Sequence, residues 1–116
     1  MKTPRPGPVT ALDDLEHTKH AHEFVGAEHG EVPFSVILVH SAPGVGPRLH
    51  RHPYAETFVI RRGSAVFTIG EETVVGCAGQ VLVVPAGEPH KFRTGPEGYE
   101  AIHIHANPTF VTEWLE

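Results

Sequence analysis

From Glu56 to Gly87 the chain reads "ETFVIRRGSAVFTIGEETVVGCAGQVLVVPAG". Apolar, β-branched runs at 57–60, 65–69, 73–75 and 81–84 are cut apart by Gly63, Gly70, Gly76 and Gly79. Runs this short cannot sustain helices, and their residue types suit a pleated, half-buried surface. The 12 glycines and 11 prolines agree with many turns. An all-β sandwich or barrel is therefore expected. Further strands are expected at 34–40, 91–93 and 100–105, the first paired in a hairpin with the segment from His22 through a turn at His29 and Gly30. Arg61 and Arg62 beside Gly63 read as a solvated hairpin end. "NPTFVTEWLE" offers Asn107 as an N-cap, Pro108 at the first helical position and Phe110, Val111, Trp114 and Leu115 on one face, predicting a short C-terminal helix over 108–115. At 116 residues there is room for one domain over 11–116, its core about 22–106, behind a flexible arm at 1–10.

The formal charge of -5 gives no basic footprint for nucleic acid or an anionic membrane. Cys77 is the single cysteine, so no intrachain disulfide forms, and "MKTPRPGPVT" lacks the apolar run of a secretory signal. A reducing cytoplasm is the expected setting. The unusual count is ten histidines, the commonest metal ligand.

Their placement carries the chemistry. In "GVGPRLHRHPYAETFVIRRG", a helix would point His50 and His52 in different directions and Pro53 would break it. An extended chain instead sets His50, His52 and Glu56 on one face, approximately so because Pro53 kinks the segment. Two imidazoles and a carboxylate suit divalent iron, manganese, cobalt, nickel, copper or zinc. A fourth candidate, His90, follows "VLVVPAGEP", where Pro85 and Gly87 fit the second and fourth positions of a type I turn. Phe92 then shares the face of His90.

These two segments resemble the motifs of the cupins. Gly44, His50, His52, Glu56 and Gly63 fit the family's first motif in full. Gly79, Pro85, Gly87 and His90 fit the second, with Thr94 where the family has Asn. The resemblance spans roughly residues 34–105. It implies a cupin antiparallel β-barrel, a double-stranded β-helix or jelly roll. It further implies that His50, His52, Glu56 and His90 ligate one divalent transition metal ion, and that the protein is a homodimer. Four ligands on a six-coordinate ion leave two cis positions open, and three neutral imidazoles with one carboxylate leave about one net positive charge, which welcomes anionic oxygen ligands. The quercetin-dioxygenase-like group is the most similar, implying a dioxygenase-like enzyme on a small oxygen-rich substrate, with isomerase chemistry also open. A non-catalytic metal-bound or ligand-binding module is the alternative.

Other residues have competing readings. Arg48 has the parity of His50 and can grip a substrate carboxylate at the barrel mouth, although a solvated surface position is the stronger expectation. Phe58 and Phe92, like Phe34, are core by default, and those near the metal would shape an apolar pocket. Glu56 can also move a proton. In "IHIH", either His103 and His105 or Ile102 and Ile104 face inward; interior isoleucines are expected, with His105 kept as a second-shell or proton-transfer candidate. His17, His20 and His22 are expected to be exposed, and Cys77 an incidental turn thiol.

Overall fold

A computed structural model describes residues 8–116; residues 1–7 of the expected arm lie outside them, and 8–10 are exposed and irregular. The described residues form one nine-stranded antiparallel sheet: β1 (Glu16–His17), β2 (Ala21–Phe24), β3 (Ser35–Ser41), β4 (His50–Arg51), β5 (Glu56–Ile69), β6 (Glu72–Cys77), β7 (Val81–Val84), β8 (His90–His105) and β9 (Glu113–Trp114). The expected hairpin is β2 with β3, Ala21 opposite Val39 and Phe24 opposite Val36.

Two long strands organise everything else. β5 and β8 pair twice, Glu56–Ile60 against residues 101–105 and Ala65–Ile69 against residues 90–94, with irregular register between Ile60 and Ala65. The runs 57–60 and 65–69 are thus halves of one bent strand. Arg61–Arg62–Gly63 is a bulge within it, where a hairpin end was expected. Gly63 has φ +70°, and a Cβ there would collide with the backbone carbonyl of Gly98. A glycine is required on both counts.

The bulge changes parity. Inward residues of β5 are Glu56, Phe58 and Ile60 before it, then Ala65 and Phe67 after it. In β8 the inward set passes from His90 and Thr94 to Tyr99, Ala101, His103 and His105. A shift of one residue turns every side chain to the other face. This reverses the expectation for "IHIH": His103 (3% exposed) and His105 (2% exposed) point inward, while Ile102 and Ile104 lie on the outer face opposite Leu38 and Val36. The core of Val39, Phe58, Ile60, Ala65, Phe67, Val84, Tyr99 and Ala101 fills one end of the curl. Phe58 and Phe67 meet edge to face at 5.2 Å there.

The ribbon curls strongly. His90 and His105 would stand about 50 Å apart along a straight strand, yet both reach the Glu56 carboxylate, at 3.2 and 3.0 Å. Pro85 and Gly87 turn the chain into β8 with different positions from those expected. Glu88 N–H donates to the Pro85 carbonyl at 3.2 Å, so Pro85 stands first and Gly87, at φ +80°, third.

The C-terminal segment is extended, and no α-helix occurs among the described residues. Asn107 Nδ2 donates to the carbonyl and hydroxyl of Thr109 instead of capping. Beyond it, β9 pairs with β4, His50 opposite Trp114. A two-turn helix rich in β-branched residues is marginal by itself, and pairing with an open strand outweighs it.

Gly63→Ala should lower stability by about 2–4 kcal/mol, because the left-handed φ and the collision with Gly98 act together. Gly79→Ala, at φ +87° with open space around its Cβ, should cost only about 1 kcal/mol. Denaturant midpoints of the two variants test the order.

Candidate metal centre

The kinked "HRHPYAE" segment crosses the sheet so that His50 leaves β4 and Glu56 opens β5, while His90 opens β8 directly opposite His50. His50, His52, Glu56 and His90 are all buried, and one ligand atom from each lies within 4.8 Å of the others, a group that could hold a metal ion. Thr94, standing at the family's Asn position, fastens the two motifs together. Its hydroxyl donates to the Ala42 carbonyl at 2.6 Å and accepts the Val45 N–H at 3.0 Å.

Hydrogen bonds fix which nitrogen of each ring faces the centre. His50 Nδ1 donates to the Arg48 carbonyl at 2.7 Å, His52 Nδ1 to Val111 at 2.8 Å and His90 Nδ1 to Glu88 at 3.0 Å. A neutral imidazole has one proton, so each Nε2 presents a lone pair. Glu56 Oε1 nevertheless lies 3.2 Å from both His52 Nε2 and His90 Nε2. Buried lone pairs face a carboxylate at that distance only with a proton or a cation between them. His52 Nε2 is buried without a hydrogen-bond partner among the described residues, despite its short distance to Glu56. The donor set and the orphaned nitrogen both fit a divalent transition metal.

His105 differs from these three. The Val111 N–H donates to the Tyr54 hydroxyl at 3.2 Å, and that hydroxyl lies 2.7 Å from His105 Nδ1. The Tyr54 hydroxyl can still donate its proton to Nδ1, the arrangement that would leave the His105 proton on Nε2, 3.0 Å from Glu56 Oε2. The alignment falls short of a good hydrogen bond. His105 thus meets the outer carboxylate oxygen as a donor. His103 stands behind it, Nδ1 at 3.7 Å from Glu56 Oε2 and Nε2 at 2.8 Å from the Tyr99 hydroxyl.

Charge states follow from these contacts. Burial alone would raise the Glu56 carboxyl, but the His105, His52 and His90 imidazoles crowded against it outweigh that and hold the group well below the usual carboxylate range. Burial lowers His50 to about 4, against the pull of the Arg48 carbonyl, and lowers His103 to about 4. At His52 burial is overcome by Glu56 and the Val111 carbonyl, and the ring is raised. Burial also raises the phenols of Tyr54 and Tyr99.

The centre opens on a cavity of ≈560 Å³ whose lining includes His50, His52, Glu56 and Phe92. Phe92 both packs against the core and lines the cavity, whereas Phe58, fully buried, belongs to the core and is absent from the lining. Arg48 lies outside the lining, exposed, its guanidinium 4.9 Å from the Trp114 ring centre. His17 is exposed as expected, but His20 and His22 are half-buried and His20 lines the cavity. Cys77 is exposed. Tyr54 and Tyr99 were missed in the sequence because neither stands at a motif position, and His103 was expected to face outward; the tail's role was missed because it acts through a backbone carbonyl.

The family described as Cupin domain matches residues 37–105. An uncharacterized protein of Streptomyces coelicolor is 30% identical over 98 residues, 84% of this chain and 93% of that one. Among solved structures, oxalate decarboxylase from Bacillus subtilis at pH 4.6 superposes with a TM-score of 0.77 at 24% identity, covering 95% of this chain and 33% of that one. The Lactobacillus farciminis oxalate decarboxylase formate complex gives 0.75 at 22%, covering 90% and 34%. The chain spans about a third of the length of these decarboxylases, whose likeness shows the fold. Mn(II) centres are described for the Bacillus subtilis enzyme.

Between about pH 6.5 and 4 an unfolded imidazole is protonated while His50 and His103 are not. Unfolding then takes up protons, so the metal-free protein should lose stability as pH falls through that window. His52, being raised, works in the opposite sense and loses its contribution as pH rises. His103→Gln, which keeps a partner for Tyr99 without titrating, should flatten the acid limb in urea melts at several pH values. A chain ending at Thr109 removes the Val111 carbonyl and β9; it should remain folded by circular dichroism and bind Mn(II) or Zn(II) about 10–100-fold more weakly.

Proposed function

The chain belongs to the cupin family, and from that premise we propose that it is a metal-dependent enzyme acting on a small oxygen-rich organic substrate, with dioxygenase-like oxidation as its reaction. One observation carries the reading: His50, His52, Glu56 and His90 each bring a ligand atom within 4.8 Å of the others, and the first three line a cavity sized for a small organic molecule. These four residues would hold the ion. When bound, a divalent transition metal supplies Lewis-acid polarisation and a template for oxygen ligands, and one of the redox-active ions also supports oxidation.

The chain's own residues supply orientation and proton handling. Glu56 divides its two oxygens, Oε1 toward the ligand nitrogens and Oε2 toward His105. A proton taken from substrate at Oε1 leaves the carboxyl neutral and still held by His105 Nε2. Val111 N–H, the Tyr54 hydroxyl and His105 stand in series behind Glu56, with His105 Nε2 3.0 Å from Oε2. That series keeps Glu56 oriented whether or not it carries the proton. Phe92 and Phe110 wall the cavity and limit water there.

The remaining proposals are more general. A second copy of the chain would cover the outer sheet face, where Val81 and Val83 are 64% and 55% exposed near the half-buried Val59, Ile102 and Ile104. No helix among the described residues is long and apolar enough to cross a membrane, and the lone exposed thiol suits a reducing cytoplasm.

Elemental analysis and light scattering of protein purified without added metal should give one divalent ion per chain and the mass of two chains. His50→Ala should lose the ion. His105→Ala should keep the ion while kcat on a diketone, flavonol or keto acid panel falls about 100-fold or more, with partial rescue in His105→Gln. A metal-loaded protein that binds panel members and converts none would be a binding module instead.

A further inference from the structure

Five of the ten histidines belong to the metal centre and its surroundings. Three of the others, His17, His22 and His40, come together on the outer face of the sheet. His17 on β1 stands directly opposite His22 on β2. The Thr18 N–H donates to the Ala21 carbonyl at 2.9 Å, so residues 18 and 21 are the hydrogen-bonded pair that closes this hairpin. His17 and His22 form the next pair, of the kind whose side chains approach most closely. His22 in turn stands opposite Leu38 on β3, and His40, two residues on, shares that face. The ring centres of His17 and His22 are 5.1 Å apart, and those of His22 and His40 are also 5.1 Å apart.

Two features of this row match the buried centre on the opposite face. A nitrogen bound at about 2.0–2.1 Å puts its ring centre about 3.2 Å from the ion, so two rings at a tetrahedral angle have centres about 5.2 Å apart. The ring centres of His50, His52 and His90 are 5.0, 4.3 and 5.2 Å apart, the same range as the outer row. The second feature is a preset tautomer. His17 Nδ1 donates to the Leu15 carbonyl two residues back, at 3.0 Å, as His50 does to Arg48 and His90 to Glu88. That bond leaves a lone pair on His17 Nε2. Among the described residues the nitrogens of His22 and His40 have no hydrogen-bond partner.

The row is also accessible, with His17 and His40 exposed and His22 half-buried. On β8, Glu100 stands opposite His40 and exposes a carboxylate, 3.9 Å from Arg62. The rings are stacked or tilted and do not converge as the four buried ligands do. The exposed rings of His17 and His40 have other staggered positions open to them, so they can turn toward a common ion.

We propose that His17, His22 and His40 form a second divalent-metal site, selective for an imidazole-loving ion, Zn(II) first, with Glu100 or water completing the shell. Its ligands come from β1, β2 and β3, so the ion acts as a clip. β1 is a two-residue edge strand held by two residue pairs to β2. Tying His17 to His40 fastens it two strands deep. Being exposed and needing its rings ordered, the site exchanges its ion readily and empties on dialysis.

The test uses the full chain. His50→Ala/His90→Ala, which removes half of the buried ligands, should still bind one Zn(II) by calorimetry. Adding His22→Gln should weaken that binding at least about 30-fold, since even groups behind a metal ligand are worth about 10–100-fold. Wild-type protein loaded at its buried centre gives the same answer without altering that centre. Zn(II) in modest excess should protect His17, His22 and His40 together from diethyl pyrocarbonate, read by peptide mass spectrometry, and should slow amide exchange over residues 16–24. Mn(II) should protect far less, being the weaker ion at imidazole sites. His22→Gln should erase both effects and leave the first ion in place. The proposal is overturned if zinc leaves the three histidines reactive or protects only one of them, if Mn(II) protects equally, or if the second ion survives His22→Gln. Protection of the outer row in a protein whose buried centre takes up no ion would sustain it while the metal-dependent reading fell.

Discussion

A buried carboxylate governs this molecule. Glu56, 4% exposed, draws imidazoles from β8 and from the "HRHPYAE" segment onto its two oxygens. Left unpaired, such a charge costs several kcal/mol to bury. It is tolerated because both ends of β8 come back to it. That return fixes the curl of the β5–β8 ribbon, and the curl in turn makes the cavity. The same side chain therefore links tertiary shape to chemistry: the residues that satisfy its charge are those that face a metal or hold the carboxylate in place.

Much of this was legible because the spacing of His50, His52, Glu56 and His90 is local to two short segments. The short apolar runs likewise made the strands legible. Errors arose wherever a long-range contact overrode a local pattern. Alternation in "IHIH" specifies two faces but not which is inside, and the answer depends on an irregular join between Thr94 and Tyr99, where the chain gains a parity change. Arg61 and Arg62 beside Gly63 look like a hairpin end because a bulge uses the same glycine conformations as a turn. The tail has helical spacing, but its partners, Leu49, His52 and Tyr54, lie some sixty residues away.

Fold and site carry different amounts of functional information. The fold is shared with oxalate decarboxylases, whereas the four convergent side chains and the cavity lining are read from this chain's own residues. Glu23 sits on β2 and His20 just before it, outside the motif segments, and both line the cavity.

The bond from His52 to the Val111 carbonyl has an evolutionary corollary. Any amino acid at position 111 offers the same oxygen, so that one side chain is free to change without disturbing the imidazole. The length of the segment is not. One residue gained or lost between His105 and Val111 would swing that oxygen aside and release the ring, which makes this stretch a ruler: at position 111 it is the spacing, and not the lettering, that seats the imidazole.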